Sequence, residues 1–570
     1  MLREGRARAA ERKALLDRIT LDILSGKLTA TVDEMGAVLA RTSMSPVIYE
    51  ILDFACGLCD AQGRLVAQGN GITLFTGTFS EQVRHLIARH GGALAPGDVY
   101  ISNQPYDGGT HACDVAIMRP VFLADGSLLA FAVAVAHWLD VGGAKPGSLP
   151  PDATEVYQEG IRLPCLRLAR GGRLDEGLLE LLRVNLRFPE MAIGDLNAEL
   201  AATRIAERRL LETAGRYGAE ALRTVFAHIL ERDAAASRQA VAALPDGRYE
   251  AEDWIDGDGV SDERIPVRVA VTIAGERMTF DYGGSAPARR APINCTRGAL
   301  LSSVKTVFKA LIDPQAPAND GWFAPLRLQA PPGTVFTAEP PAPVGWYYEG
   351  SAQASELAWK ALAPLAPERF GAGSYMSLTV AYLCGRGGEG RQAYVHIEPA
   401  HGGWGAVPDA DGASALIALT DGDTYNYASE VIEAKFPLRL RRYALNTEAG
   451  GGAGRHRGGF GLVREYEILE EGNFLYCSVG RSETPPWGLE GGRSGSCNAV
   501  EVLRDGALLR LARSPHLELR PGDRVRVVTG NGGGYGRPEE RPAAAVAADL
   551  EAGYLTAEQA RALYGRGPAA

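Results

Sequence analysis

Two histidine–aspartate pairs of equal spacing are the residues of this sequence best suited to metal or acid–base chemistry. His111 and Asp114 are three positions apart, as are His137 and Asp140, and a short apolar segment separates the pairs. That segment is interrupted by Asp125–Gly126, and Asp-Gly between apolar runs strongly indicates a β-hairpin. A two-residue loop at this point places Asp114 opposite His137 and His111 opposite Asp140.

The end of this predicted hairpin is a candidate metal site. Opposed residues of paired strands have Cβ atoms about 4.5–5.5 Å apart, so their side chains can share one ion. Imidazoles and carboxylates are ligands of zinc, manganese and iron(II). Pro120 cannot donate to the strand ladder, so an edge position or a bulge there could shift the register by one residue. A polar hairpin end whose histidines only form hydrogen bonds is the simpler alternative, but four such groups on one hairpin favour a metal.

Composition and charge indicate a globular protein of several domains. The chain has 570 residues, too many for one ordinary core, which predicts about two to four domains. A net charge of −10 without a sustained basic run argues against nucleic acid as a partner. No apolar run is long enough to span a membrane, and the N-terminus does not open into an apolar signal core. Eight scattered cysteines are typical of a reduced, cytoplasmic protein; Cys56 and Cys59 are interpreted as buried small residues.

The apolar periodicity predicts an α+β, multidomain fold. Residues 1–245 are expected to form an N-terminal metal-site domain of α/β character with long helices, over 12–45 and in the helical segment 174–245. A central α+β domain is expected over 246–440. A β-rich domain with a terminal helix is expected over 441–570, where Thr556 and Gln559 have the spacing of a capping box.

Other motifs are less specific. The glycine-rich loops at 450–459 and 529–536 resemble anion-binding nests, although such loops are more often simple turns. No P-loop is available to hold ATP, and no nucleophile elbow is present. Glu155 and Glu159 follow the hairpin and could supply a general base near the site, or could be solvated charges.

Several longer motifs follow one another along the chain: DFACGLCDAQGRLVAQ, SNQPYDGGTHACDVAIMRPVF, AHWLDVGG, TEVYQEGIRLP, EVIEAKFPLRLRRYAL, GGGAGRHRGGFGLVREYEIL and GNGGGYGRP. Together they resemble the hydantoinase B/oxoprolinase family over nearly the whole length. The resemblance implies a B subunit in a hetero-oligomer, whose partner is an A-type ATPase subunit that holds ATP.

The resemblance also implies a ligand set for one divalent metal. The types of ligand make zinc the expected ion, with manganese and iron as the other candidates. The implied ligands are Asp53, His111, Asp114 and His137. Asp53 would not have been chosen from spacing alone. Asp140 then becomes an orienting group or a proton acceptor, and Glu159 is the other candidate acceptor.

The expected reaction is ATP-dependent hydrolysis of a cyclic amide: a hydantoin, a lactam or 5-oxoproline. The partner would phosphorylate the carbonyl oxygen, and a metal-activated water would attack that carbon. A subunit of a ketone carboxylase and a non-catalytic scaffold subunit are the alternatives. The pocket that discriminates between substrates is expected around Trp138, Tyr157 and Trp346–Tyr348, and the unusual stretch Ala352–Ser355 is expected to contribute to it.

Overall fold

The computed structural model describes residues 17–260, 263–386 and 392–565. Within these ranges the α-helices are α1 (Arg18–Thr42), α2 (Pro46–Tyr49), α3 (Thr73–Thr76), α4 (Phe79–His90), α5 (Glu176–Asn185), α6 (Pro189–Tyr217), α7 (Ala219–Ala242), α8 (Arg297–Ile312), α9 (Tyr347–Leu362), α10 (Ser429–Lys435), α11 (Ala543–Glu551) and α12 (Ala557–Tyr564).

The β-strands of the first half are β1 (Phe54–Asp60), β2 (Leu65–Gln68), β3 (Val99–Ser102), β4 (Asp114–Phe122), β5 (Leu128–His137), β6 (Leu166–Arg170), β7 (Arg173–Leu174), β8 (Gly247–Ile255), β9 (Ile265–Ala274), β10 (Arg277–Asp281) and β11 (Leu326–Gln329). Those of the second half are β12 (Ala381–Gly385), β13 (Tyr394–His396), β14 (Leu438–Leu445), β15 (Leu462–Ile468), β16 (Asn473–Ser478), β17 (Ala499–Arg504), β18 (Ala507–Leu511), β19 (Arg513–Leu519) and β20 (Arg524–Val528).

The strands form four sheets, and the predicted hairpin lies at the centre of the first. The order in that sheet is β2-β1-β5-β4-β3-β6-β7. The second sheet is β11-β10-β9-β8, the third β13-β12-β16-β19 and the fourth β14-β15-β20-β17-β18. Helices α1 and α6 cover one face of the first sheet. The central strands β1, β4 and β5 are buried along almost their entire length, so the residues at their ends are held rigidly.

The hairpin has the predicted register at the site and a different turn. Asp114 pairs with His137, as predicted. The two-residue loop is wrong, because Leu123 donates its N–H to Ser127 and three residues lie between them. A bulge between Val121 and Phe122, on the turn side of Pro120, compensates for the third loop residue. The pairs from Val121 back to Asp114 therefore have the predicted register.

His111 and Asp140 do not form the predicted opposed pair. Strands β4 and β5 end at Asp114 and His137, and one further bond runs from the N–H of Trp138 to the carbonyl of Cys113. The backbone then turns, so His111 and Asp140 lie beyond the ladder and are positioned by other contacts.

The helix predictions are confirmed where the structure describes them. Helix α1 begins at Arg18 with Asp17 as its N-cap, and the predicted stripe Leu28, Val32, Met35 and Leu39 is buried; residues 12–16 lie outside the described residues. Three helices occupy the segment 174–245 and meet near Pro189 and Gly218. The terminal helix has the capping box between Thr556 and Gln559.

The α+β, multidomain fold class is confirmed by the separate sheets and the helices between them. The division at residues 245 and 440 stays a prediction, and a buried apolar cluster contains residues from all three segments. Cys56 and Cys59 are buried in β1 with free thiols. None of the described helices combines the length and apolarity that crossing a membrane requires.

The glycine-rich loops at 450–459 and 529–536 pack against each other. The N–H groups of Gly452, Gly458 and Gly532 donate to the carbonyls of Gly532, Gly452 and Gly459, respectively. A Cβ atom on Gly458 would lie 1.8 Å from the carbonyl oxygen of Gly532, so glycine is required for this approach. These three N–H groups are therefore occupied by backbone carbonyls, which favours the interpretation of the loops as packing turns.

Candidate metal centre

Three donor atoms converge where the central strands end. Nε2 of His111 lies 2.8 Å from Oδ1 of Asp114 and 3.1 Å from Nδ1 of His137, and that Nδ1 lies 3.0 Å from the same Oδ1. All three side chains are buried. They form the one group of three or more potential ligands that converges within 4.8 Å among the described residues.

Hydrogen bonds to its second carboxylate oxygen orient Asp114. Oδ2 accepts hydrogen bonds from the hydroxyls of Thr110 and Tyr347, the latter at 3.2 Å. Burial alone would raise the pKa of this carboxyl, but the two histidines lower it below its usual range. Asp114 is therefore a carboxylate whose other oxygen, Oδ1, faces the two imidazoles.

The tautomer of His111 is fixed by the backbone. Its Nδ1 lies 2.7 Å from the carbonyl oxygen of Gly345, which can only accept, so Nδ1 carries a proton. In the neutral ring, Nε2 then has a lone pair that points at the Asp114 carboxylate. Two acceptors at 2.8 Å need a cation between them, either a proton or a metal ion. This donor set fits a divalent metal such as zinc.

The pKa values of the two histidines move in opposite directions. For His111, burial opposes the charge, but Asp114 and the Gly345 carbonyl raise the pKa. For His137, burial dominates and lowers the pKa, with His111 adding to the effect. His111 therefore takes up an additional proton more readily than His137, and His137 more readily stays neutral, the form in which an imidazole binds a metal.

Asp53 lies beside this group on the neighbouring strand. Its carbonyl accepts the N–H of His137, and Phe54 pairs with Ala136 in the same ladder. Its side chain lines the same cavity as the triad without belonging to the converging group. Burial and the carboxylates of Asp421 and Asp114 raise the pKa of Asp53 well above its usual range. The ligand role of Asp53 stays a prediction.

Asp140 is buried behind the site with both oxygens engaged. Oδ1 accepts the N–H of Gly142 at 2.8 Å, and Oδ2 accepts the N–H of Gly147 and the guanidinium of Arg187, each at 2.9 Å. Its side chain does not line the cavity. Asp140 thus holds the loop that follows the hairpin, and its role as a proton acceptor stays a prediction.

Glu159 reaches the site through the backbone of residues 344–345. Its carboxyl accepts the N–H groups of Val344 and Gly345 at 3.1 and 2.6 Å, respectively. Burial raises its pKa to about 7, against the effect of those two bonds. It therefore positions the carbonyl that orients His111, and its role as a proton acceptor is likewise untested. Glu155 is exposed.

A cavity opens over the triad and is mostly apolar. Its described lining contains nine apolar residues, among them Ile51, Phe75, Leu378 and Ile397, together with three tyrosines, the triad, Asp53 and Asp421. The tyrosines are Tyr347, Tyr348 and Tyr382. Neither lysine nor arginine is among these lining residues.

The predicted specificity pocket is only partly correct. Tyr347 and Tyr348 line the cavity, and the ring of Trp346 packs against that of Tyr348. Trp138 lies on the other face of the sheet, where Nε1 donates to Glu199 at 3.0 Å, and Tyr157 is 64% exposed. The stretch 352–355 is buried in α9 away from the described lining.

Sequence reasoning missed Asp421 and Tyr382. Asp421 ends a short helical turn at Leu419–Asp421, and burial together with Asp114 raises its pKa to about 7. Both residues come from the second half of the chain and reach the site only through packing between the sheets. An acidic Asp421-Gly-Asp segment and an apolar strand around Tyr382 carry no local signal of a site.

Comparisons with known proteins agree with this architecture. A model of the hydantoinase B/oxoprolinase family matches residues 17–538. The putative B subunit of a D-/L-hydantoinase from Pseudomonas sp. strain NS671 is 32% identical, covering 96% of this chain and 95% of that protein. The beta subunit of caprolactamase from Pseudomonas jessenii is 30% identical and covers 96% of each chain. The crystal structure of the ATP-dependent caprolactamase from that organism matches with a TM-score of 0.90 and 28% identity, again over 96% of both chains.

Fold and site together define a multidomain α+β protein whose central hairpin carries a candidate metal centre. This chain belongs to the hydantoinase B/oxoprolinase family, as its motifs predicted.

Proposed function

We propose that this chain is the B subunit of an ATP-dependent cyclic amide hydrolase that acts on a hydantoin, a lactam or 5-oxoproline. The observation that carries the proposal is the convergence of His111, Asp114 and His137 in a cavity. Supporting it, the chain is similar over nearly its whole length to proteins named as the B subunit of a hydantoinase and the beta subunit of caprolactamase. These names also support a partner, for which we propose an A-type ATPase that holds ATP.

The residues that would hold the metal are His111, Asp114 and His137, with Asp53 as the fourth ligand. When bound, a divalent metal supplies Lewis-acid chemistry and lowers the pKa of water from about 16 to about 7. Zinc suits two imidazole nitrogens with carboxylate oxygens, and manganese or iron are the other candidates.

The protein's own groups prepare the site for hydrolysis. Tyr347 and Thr110 hold the Asp114 carboxylate. The Gly345 carbonyl holds a proton on Nδ1 of His111, so that in the neutral ring Nε2 presents its lone pair to the site. The apolar walls exclude bulk water and strengthen the electrostatic interactions inside. An unactivated amide resists attack, so we infer that the partner phosphorylates the carbonyl oxygen before the ring opens.

The test is to purify the chain with its ATPase partner and to follow ring opening and ATP hydrolysis by chromatography. ATP-dependent opening of a hydantoin, a lactam or 5-oxoproline without added bicarbonate is expected. ATP turnover that requires a ketone and bicarbonate would instead identify a carboxylase. Full activity of a metal-free His111→Ala variant would identify a scaffold role.

A further inference from the structure

Two tyrosines of the cavity lining have hydroxyl groups without a partner among the described residues. The hydroxyl oxygens of Tyr348 and Tyr382 are buried and accept or donate no hydrogen bond. The third tyrosine of the lining, Tyr347, is already bonded to Asp114. A buried polar group left unpaired costs about 1–3 kcal/mol, so an occupant that pairs with it is favoured.

Both rings are held in place by their neighbours. The Tyr382 ring stacks on Tyr476 with centroids 4.3 Å apart, and Trp346 contacts both tyrosines with centroids 5.7 Å away. Nε1 of Trp346 donates to the carbonyl of Leu149 at 3.0 Å, which fixes that indole. The two hydroxyls are therefore presented rigidly, as a binding site requires.

The charges in the cavity disfavour an anionic ring substituent. Asp53, Asp114 and Asp421 contribute carboxyl groups to the lining, and no cationic side chain is among its described residues. With Asp53 and Asp114 as its proposed ligands, the charge of a divalent ion would already be balanced by these two carboxylates. An ionised substituent would thus be buried without a counterion, which is costly, whereas the apolar walls suit hydrocarbon.

We propose that Tyr348 and Tyr382 are specificity-determining hydrogen-bond donors and that the substrate is a cyclic amide whose ring carries no ionised group. The hydroxyls donate to a neutral acceptor of the ring, such as a carbonyl oxygen, and the ring itself packs on the apolar walls. Burial raises the pKa of both phenols well above the usual range, so each keeps the proton that it donates. This inference rests on the proposed function and narrows its substrates to neutral lactams and hydantoins.

The first experiment measures binding to the full chain loaded with zinc, without partner or ATP. Pyrrolidin-2-one and 5-oxoproline have the same ring and differ by one carboxylate, and 5-oxoprolinamide restores the size without the charge. Ligand-observed NMR is expected to show pyrrolidin-2-one and the amide binding at least about 100-fold more tightly than 5-oxoproline. Equal or tighter binding of 5-oxoproline would overturn the proposal.

The second experiment tests the two hydroxyls. Tyr348→Phe and Tyr382→Phe should each weaken binding of pyrrolidin-2-one about 3- to 10-fold. Tyr375→Phe is the control, because the Tyr375 side chain is also fully buried but lies outside the described cavity lining. In the complex with the ATPase, the two variants should raise KM and leave kcat nearly unchanged. Unchanged binding in both variants would refute the assignment.

The two proposals can fail separately. If the complex opens 5-oxoproline in preference to neutral rings, the hydrolase function stands and this inference fails. If neutral rings bind with the expected selectivity but none is opened with ATP, the binding assignment stands and the hydrolase function fails.

Discussion

Nδ1 of His111 lies 2.7 Å from the carbonyl oxygen of Gly345, a residue 234 positions later in the chain. Because a carbonyl only accepts, this bond sets the tautomer and aims Nε2 at Asp114 and His137. Glu159 accepts the N–H of the same Gly345 at 2.6 Å. A histidine of the N-terminal hairpin is therefore oriented by the central part of the chain.

Removing His111 should abolish metal binding and ring opening while leaving assembly with the partner intact. We expect His111→Ala to retain less than about a tenth of the wild-type zinc, since one converging donor is lost. Zinc is measured by elemental analysis and assembly by size-exclusion chromatography. The matched control is His516→Ala, because His516 also lies 2.9 Å from a carboxylate, that of Glu518, but at the surface. Wild-type zinc content in His111→Ala would contradict the ligand assignment.

Asp53 and Asp421 should differ in their effect on the metal. If Asp53 is the fourth ligand, Asp53→Asn lowers zinc affinity by at least about 10-fold, whereas Asp421→Asn changes it less. Competition with a chromophoric chelator measures both affinities. Both variants remove one carboxyl from the same cavity, so each controls for the other. Zinc affinity lost with Asp140→Asn but kept with Asp53→Asn would favour a ligand set confined to the hairpin.

Glu159→Gln separates a positioning role from that of a proton acceptor. Glutamine can accept only one of the two N–H bonds that Glu159 now accepts, so the Gly345 carbonyl should shift. We expect zinc affinity to fall about 10-fold and kcat to recover when zinc is added in excess. A low kcat at full zinc occupancy, with loss of one limb of the pH profile, would instead identify a base. The exposed neighbour Glu155→Gln serves as control.

Asp140→Asn should destabilise the loop after the hairpin. The variant disturbs the bonds to Gly142, Gly147 and Arg187, one of which is charged. We expect the free energy of unfolding in urea to fall by about 1–3 kcal/mol with zinc retained. A loss of kcat without a loss of stability would restore Asp140 as the proton acceptor.

We expect the free energy of unfolding to decrease as the pH rises, because the buried Glu356 carboxyl loses its proton. Burial raises its pKa from 4.5 to about 7, so folding takes up a proton between these values. Its stabilising contribution is complete below pH 4.5 and is lost as the pH rises through about 7, by about 3 kcal/mol. Glu356→Gln should flatten urea stability over this range, and the exposed Glu368→Gln should leave it unchanged. A profile for Glu356→Gln that parallels the wild type would show that this carboxyl is ionised in the folded protein.

The sequence by itself determined the local elements and the register of the site. Helical apolar patterns are local, so helices such as Pro189–Tyr217 could be predicted from them. The pairing of Asp114 with His137 was predicted from a two-residue loop at Asp125–Gly126, and it holds because the bulge at Val121 and Phe122 offsets the extra loop residue. The family motifs added Asp53 as a candidate ligand, because a residue on a neighbouring segment leaves no spacing signal.

Only the tertiary structure decided which groups surround that site. Gly345, Tyr348, Tyr382 and Asp421 reach the hairpin through packing between sheets that are distant in sequence. The spacing of Asp140 from His137 equals that of Asp114 from His111, which predicted two equivalent pairs. In the folded chain, however, Asp140 accepts a hydrogen bond from Arg187 instead. Spacing along a chain determines which side chains lie on the same face of one helix or strand. The direction that the backbone takes beyond the end of a strand depends instead on contacts with residues distant in sequence.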